Sequence, residues 1–340
     1  MVPEASVPAR GTDDRGTASA GLASPPMTDL PNVTLGRTGL AVSKIGFGAM
    51  ELRGPYGDWP TRVDDATTSR LLNSVLDLGI NLIDTAPDYG LSEELIGKHL
   101  SRRRDEFFIA TKCGCSVRAT GEPFESNVHT FERPIIRAAV EQSLRRIRTD
   151  HIDIIQFHHS PSRSELEEHD AVAELVDLRD DGKVRFIGMS ATLPHCYEHL
   201  DMDVFDVIQV PYSLVELEHE DFLVKASEAG VGTIARNGVA RGIVSAGRDK
   251  VEAIPDGWRQ QWLTNRDKFE AAGLEDLMDG ASRTEFMIRY LLATPSVDST
   301  ILGTGKPQHL ADNIAAASKG PLGRDAYDEA RRRVAAVSGA

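Results

Sequence analysis

From about residue 33 the chain alternates short apolar runs with amphipathic stretches. Val33–Leu35 and Leu40–Val42 flank Gly36-Arg37-Thr38-Gly39 and read as a hairpin. Lys44 to Gly48 follows as a first strand. Residues 65–78 then place Leu71, Leu72, Val75 and Leu76 on one helical face. Later runs predict strands at Asn81–Asp84, Phe107–Lys112, Ile152–His158, Phe186–Ser190, Val207–Pro211, Gly232–Ala235 and Ser299–Leu302. Between them lie helices: one capped by Ser92, one over 134–147 with Pro134 in its first turn, and Leu166–Leu178. Further helices are predicted near 221–228, 283–293, 307–317 and 325–337.

Eight strands alternating with helices imply right-handed crossovers and a parallel sheet. The simplest closure is a (β/α)8 barrel of the TIM type spanning residues 30–340, with the hairpin closing its bottom. A doubly wound sheet is the competing architecture. Such sheets carry GxGxxG after the first strand, and here Gly46-Phe47-Gly48-Ala49-Met50-Glu51 lacks the third glycine. Gly303-Thr304-Gly305-Lys306-Pro307 is no P-loop either, because Pro307 stands where Ser or Thr is required.

Composition narrows the function. The 340 residues are 41% hydrophobic and 26% charged, ordinary for a globular protein. The net charge of −14 and the lack of a Lys/Arg-rich run argue against nucleic acid, whose binding needs positive charge to displace counterions. Cys113, Cys115 and Cys196 are too few for a disulfide framework, and CxC without a second pair is no zinc site, so no metal is expected. No apolar run approaches the roughly 18 residues of a membrane span. Residues 1–29, rich in Ala, Gly, Pro, Ser and Thr, lack the apolar core of a signal peptide and are expected to be a disordered arm. A cytoplasmic location and a start at Met27 are the matching expectations.

In a parallel barrel, chemistry gathers where strands end. Those positions hold Asp84 with Tyr89 just beyond, Lys112, His158 with His159, Ser190, Gln209, Arg236 with Asn237, and Thr304 with Lys306. A tyrosine is normally a weak acid, with a pKa of about 10. A nearby ammonium favours its phenolate, a carboxylate holds that ammonium, and a histidine can orient a substrate oxygen. Such a set suits carbonyl reduction, where a developing alkoxide needs a proton as hydride arrives. Taken singly, each has a plainer reading: an Asx turn for Asp84, a surface lysine, a loop aromatic, a buried histidine.

The segments NLIDTAPDYGLSEELIGKHL, FFIATK, IDIIQFHHS, GKVRFIGMS, VIQVPYSL and ILGTGKPQHLADN resemble the aldo-keto reductase family, from about Leu35 to Ala316. The resemblance implies a nicotinamide cofactor, NADPH with NADH usable, bound without a Rossmann motif. It also implies a small carbonyl substrate that becomes an alcohol. The family's catalytic Asp, Tyr, Lys and His fall on Asp84, Tyr89, Lys112 and His158. Histidine rather than glutamate at the last position implies carbonyl rather than alkene reduction. Cofactor candidates are Gly48, Met50, Ser190, Gln209, Arg236, Asn237, Gly303, Thr304, Lys306, His309, Asp312 and Asn313.

Several positions depart from the family pattern. Ala191 replaces an asparagine beside Ser190, Arg236 an aromatic residue, Gly238-Val239 the usual Pro-Leu, and His309 an arginine that clamps the 2′-phosphate. His159 replaces a common tryptophan and is a candidate wall of the substrate pocket, with Tyr56 and Trp59 from the loop after strand one. His195 and His199 stand four apart, but a solvated helix face is the favoured reading over zinc. Two alternatives stay open: a nicotinamide-sensing subunit with slow or no turnover, and a metal-dependent barrel enzyme. The latter needs a His and acid cluster that the strand ends lack. A chain beginning at Met27 is expected to melt at the same temperature as the full chain. A marked drop would show that the arm packs on the barrel.

Overall fold

The computed structural model describes residues 30–54, 64–115, 129–242 and 256–338. Strands β1 (Asn32–Thr34) and β2 (Ala41–Ser43) form the antiparallel hairpin. Eight strands then close a parallel barrel: β3 (Ile45–Gly48), β4 (Leu82–Asp84), β5 (Phe108–Cys113), β6 (Ile152–Phe157), β7 (Val184–Ser190), β8 (Val207–Pro211), β9 (Gly232–Arg236) and β10 (Ser299–Gly303). They neighbour one another in chain order, and β10 pairs with β3 to complete the ring. Parallel strands are covered on both faces, which is why runs such as IDIIQF are buried at every position. Among the described residues no helix is long and apolar enough to cross a membrane.

The core has two parts. Ile83, Ile109, Ile155 and Ile187 belong to the large cluster that includes the outer helices. Leu82, Ala110, Ile154, Val207, Ile234 and Ile301 form a second cluster with Leu35, Leu40 and Val42 of the hairpin. The hairpin therefore plugs the barrel, as the sequence predicts. Its turn is pinned by Asp298, whose Oδ2 accepts from the Gly36 and Thr233 amides, each at 3.0 Å. Gly36 has φ +45°, and a Cβ there would lie 2.2 Å from the Gly232 nitrogen, so only glycine fits.

Three local expectations need correction, and one helix was not foreseen. Ser92 does not cap its helix but begins it, Ser92–Leu100, because its hydroxyl is buried and donates to the Ala49 carbonyl at 2.9 Å. The helix predicted over Leu166–Leu178 is two, Arg163–Glu168 and Ala171–Asp180, broken where Asp170 takes φ 49°. A helix at Asp256–Ala271 went unpredicted; Trp262 and Phe269 are buried on it, but the intervening sequence is too polar to show a stripe. His199 is fully buried rather than solvated, donating from Nε2 to the Pro161 carbonyl at 2.7 Å.

Helix Ser92–Leu100 crosses helix Arg133–Ile147 closely at Gly97, where an added Cβ would fall 2.0 Å from the Arg146 carbonyl oxygen. Gly97→Ala is expected to cost on the order of 1–3 kcal/mol through overpacking, read as a lower urea midpoint with unchanged slope. An unchanged midpoint would show that the two helices separate freely.

Candidate active site

The C-terminal ends of β4 to β9 bring most of the expected residues together. Lys112 is buried, and its Nζ donates to Asp84 Oδ1 and to the Thr85 carbonyl, each at 2.8 Å. Asp84 Oδ2 accepts from Gln209 Nε2 at 3.0 Å and from Gln156 Nε2 at 3.2 Å. Both oxygens of this carboxylate are therefore occupied. Burial works against the Lys112 charge, but Asp84 and Tyr89 outweigh it and raise the pKa above the ordinary lysine value. Lys112 Nζ lies 5.0 Å from the centre of the Tyr89 ring.

The expected lowering of the Tyr89 pKa is overturned. Burial raises it, Asp84 and Asp88 add to the rise, and Lys112 only partly offsets them. Tyr89 is thus held as a protonated phenol beside a fixed cation. Its ring meets that of His158 edge-on, with centroids 6.1 Å apart. His158 is buried, and its pKa is well below the usual imidazole value, through burial together with Lys112, His159 and His129, against the pull of Asp88. A neutral imidazole there can donate a hydrogen bond to a substrate oxygen.

Sequence reasoning missed Asp88 and His129 behind His158. Its Nδ1 lies 3.4 Å from Asp88 Oδ2 and 3.2 Å from Cys115 Sγ. His129 Nε2 and His159 Nε2 approach the same Asp88 oxygen at 3.8 and 3.9 Å. The strand ends do carry a His and acid cluster, contrary to expectation. Burial pushes the Asp88 carboxyl up, but the surrounding imidazoles hold it well below the usual carboxylate range. Asp88 was readable beside Tyr89 in the motif. His129 was not, since an isolated bridge to Cys115 carries it to the barrel mouth. Gln156 could have been found, because it shares a strand face with His158, two residues on.

The remaining candidates ring the same end. Gly48 and Gly303 are paired neighbours, with Met50 in the turn after β3. Ser190 pairs with Gln209, and Arg236 with Pro211. Asn237 has φ 65°, and its carbonyl accepts from the Ala240 amide at 2.6 Å. Thr304 Oγ1 accepts from the Lys306 amide at 3.1 Å and shapes the turn into helix Pro307–Ser318. Lys306 and His309 are exposed at that helix start. Asp312 and Asn313 lie on the same helix; Asp312 is exposed and accepts from Gln308 Nε2 at 2.8 Å. Tyr56 and Trp59 lie outside the described residues.

Residues 44–332 match the model of the aldo/keto reductase family. The chain belongs to that family. It is 29% identical to L-galactose dehydrogenase of Arabidopsis thaliana over 314 residues, 86% of this chain and 90% of that protein. It is 30% identical to the aldo-keto reductase YhdN of Bacillus subtilis over 302 residues, 82% and 86% of the two chains. The holo form of aldo-keto reductase AKR11C1 from Bacillus halodurans superposes with a TM-score of 0.74 at 27% identity, covering 89% of this chain and 96% of that one.

Aldo-keto reductases generally use NAD(P)H, and the groups of this one fit such a molecule. Among the described residues Arg236 Nε is buried with no hydrogen-bond partner, and the buried Gln209 and the buried hydroxyl of Ser190 stand on neighbouring strands at the same barrel end. An amide-bearing ring would satisfy such groups. The start of helix Pro307–Ser318 offers backbone N–H groups and the Lys306 ammonium to a phosphate. Removing Lys112 tests the centre of this aldo-keto reductase. Lys112→Met leaves Asp84 buried without its cation and is expected to cost roughly 3–5 kcal/mol in urea unfolding. A loss below about 1 kcal/mol, the worth of an exposed pair, would show that the ion pair is solvated.

Proposed function

We propose that this aldo-keto reductase reduces an aldehyde or ketone to an alcohol with NADPH, using Tyr89 as the proton donor and running the reverse with Tyr89 as base. The observation that carries the reading is the buried Asp84–Lys112 pair with the half-buried Tyr89 ring beside its ammonium, closed at the tyrosine edge by a neutral His158. The cofactor, when bound, supplies the hydride. His158 donates to the substrate oxygen and orients the carbonyl. As negative charge develops on that oxygen, the Tyr89 hydroxyl gives up its proton. Lys112 stabilises the phenolate left behind, and Asp84 keeps Lys112 in place. Charge that was costly to form at Tyr89 alone is thereby formed next to a cation that is already there.

The relative named L-galactose dehydrogenase puts sugars beside simple aldehydes and ketones in the first substrate panel. Tyr89→Phe is expected to keep NADPH binding and lose on the order of 10²–10⁴-fold in kcat. Near-native turnover in that variant would reject Tyr89 as the acid. No turnover on any carbonyl by the native chain, with cofactor bound, would favour a sensing role instead.

Cofactor choice rests on the start of helix Pro307–Ser318. With His309 where the family resemblance implies an arginine, Lys306 is the cation at that helix start for a 2′-phosphate, a point charge without a bidentate fork. NADPH is therefore expected to be preferred only modestly over NADH. Lys306→Ala should raise the KM for NADPH and leave that for NADH unchanged. Equal effects on both would remove Lys306 from the phosphate site.

A further inference from the structure

Asp88, His129, His158 and His159 come from the ends of three successive barrel segments, yet one ligand atom from each lies within 4.8 Å of all the others. Asp88 follows β4, His129 is bridged to Cys115 just past β5, and the two adjacent histidines follow β6. The imidazoles are crowded together: ring centroids are 3.7 Å apart for His129 and His159, and 4.1 Å for His158 and His159. All three address the same carboxylate oxygen, Oδ2, at 3.4, 3.8 and 3.9 Å. The other, Oδ1, is buried with no hydrogen-bond partner among the described residues.

His159 reaches the cluster with φ 64°, and Ser160 follows with φ 53°, a left-handed pair that side chains seldom adopt. None of this is needed to hold Asp84, Lys112 and Tyr89 together. A lone carboxylate can be satisfied by one or two donors, and here three imidazoles converge on it while one oxygen goes without.

We propose that these four side chains form a binding site for one divalent transition-metal ion of the zinc class. Three imidazole nitrogens and one carboxylate oxygen are a zinc-type donor set, and four is its preferred coordination number. Zinc–nitrogen bonds of about 2.0–2.1 Å at tetrahedral angles place neighbouring ligand atoms roughly 3.4 Å apart. The Asp88–His158 contact already has that spacing. The other contacts close with side-chain shifts on the order of 1 Å. Ligation through Nδ1 of His158 leaves the ring proton on Nε2, the tautomer able to donate to a substrate oxygen. The ion would then stand behind His158 as a positioning element. The site itself does not depend on the reductase reading, because binding alone tests it.

The full chain, stripped with a chelator and dialysed against Zn²⁺, is expected to retain one equivalent. Co²⁺ in its place should give the intense visible bands of a four-coordinate ion. His129→Ala and Asp88→Asn should each weaken Zn²⁺ binding by at least the roughly 10–100-fold that losing an outer-shell partner costs. His159→Ala, on a side chain 49% exposed and so safe for folding, should do the same. Circular dichroism of each variant confirms that it is folded. Failure to retain one equivalent overturns the proposal, as does a weak octahedral Co²⁺ spectrum. Binding of native strength in the folded His129→Ala and His159→Ala variants overturns it too, by assigning the ion to other histidines.

Discussion

Everything at the mouth of this barrel is arranged around one ammonium kept charged where little water reaches it. Taking Lys112 and Asp84 out of water costs several kcal/mol per ion, and their attraction offsets this only when geometry is good and every remaining polar atom is met. Here it is met. One Asp84 oxygen takes the ammonium, the other takes two glutamine amides, and the Thr85 carbonyl takes a further lysine proton. Lys112 and the two glutamines stand on β5, β6 and β8, so the Asp84 carboxylate ties strands across the ring. The same contacts that stabilise the charge therefore fix where the tyrosine beside it can sit.

The barrel makes that economy possible. Eight short strands, each covered on both faces, leave only their ends free to carry polar groups. The hairpin fills one end of the ring with Leu35, Leu40 and Val42, and the chemistry is left to the other. Because β4, β5 and β6 are neighbours, residues dozens of positions apart become adjacent. Asp84 and Lys112 meet in this way, and so do Asp88, His129, His158 and His159.

Much of the site was legible because it lies at strand ends, and strand ends can be read from where an apolar run stops. Asp84, Lys112, Ser190 and Gln209 were found by that rule. Tyr89 and His158 lie within a few residues of such an end. What the rule cannot report is a sum of opposing fields. Lys112 does favour the Tyr89 phenolate, but burial with two carboxylates nearby wins and the phenol stays protonated. The helix break at Asp170 and the buried ring of His199 escaped for a similar reason: each answers to packing partners distant in the chain.

By itself the sequence determined the strand and helix alternation, the closed parallel barrel and the four residue types of the proposed catalytic set, because these follow from local periodicity and from motifs within single segments. The tertiary structure alone decided which side chains share a field. It gave Asp84 its two amide donors, and it turned three histidines from two loops onto Asp88. Charge and ligand geometry depend on distances across the ring, and a linear pattern carries no information about a distance until the chain has closed on itself.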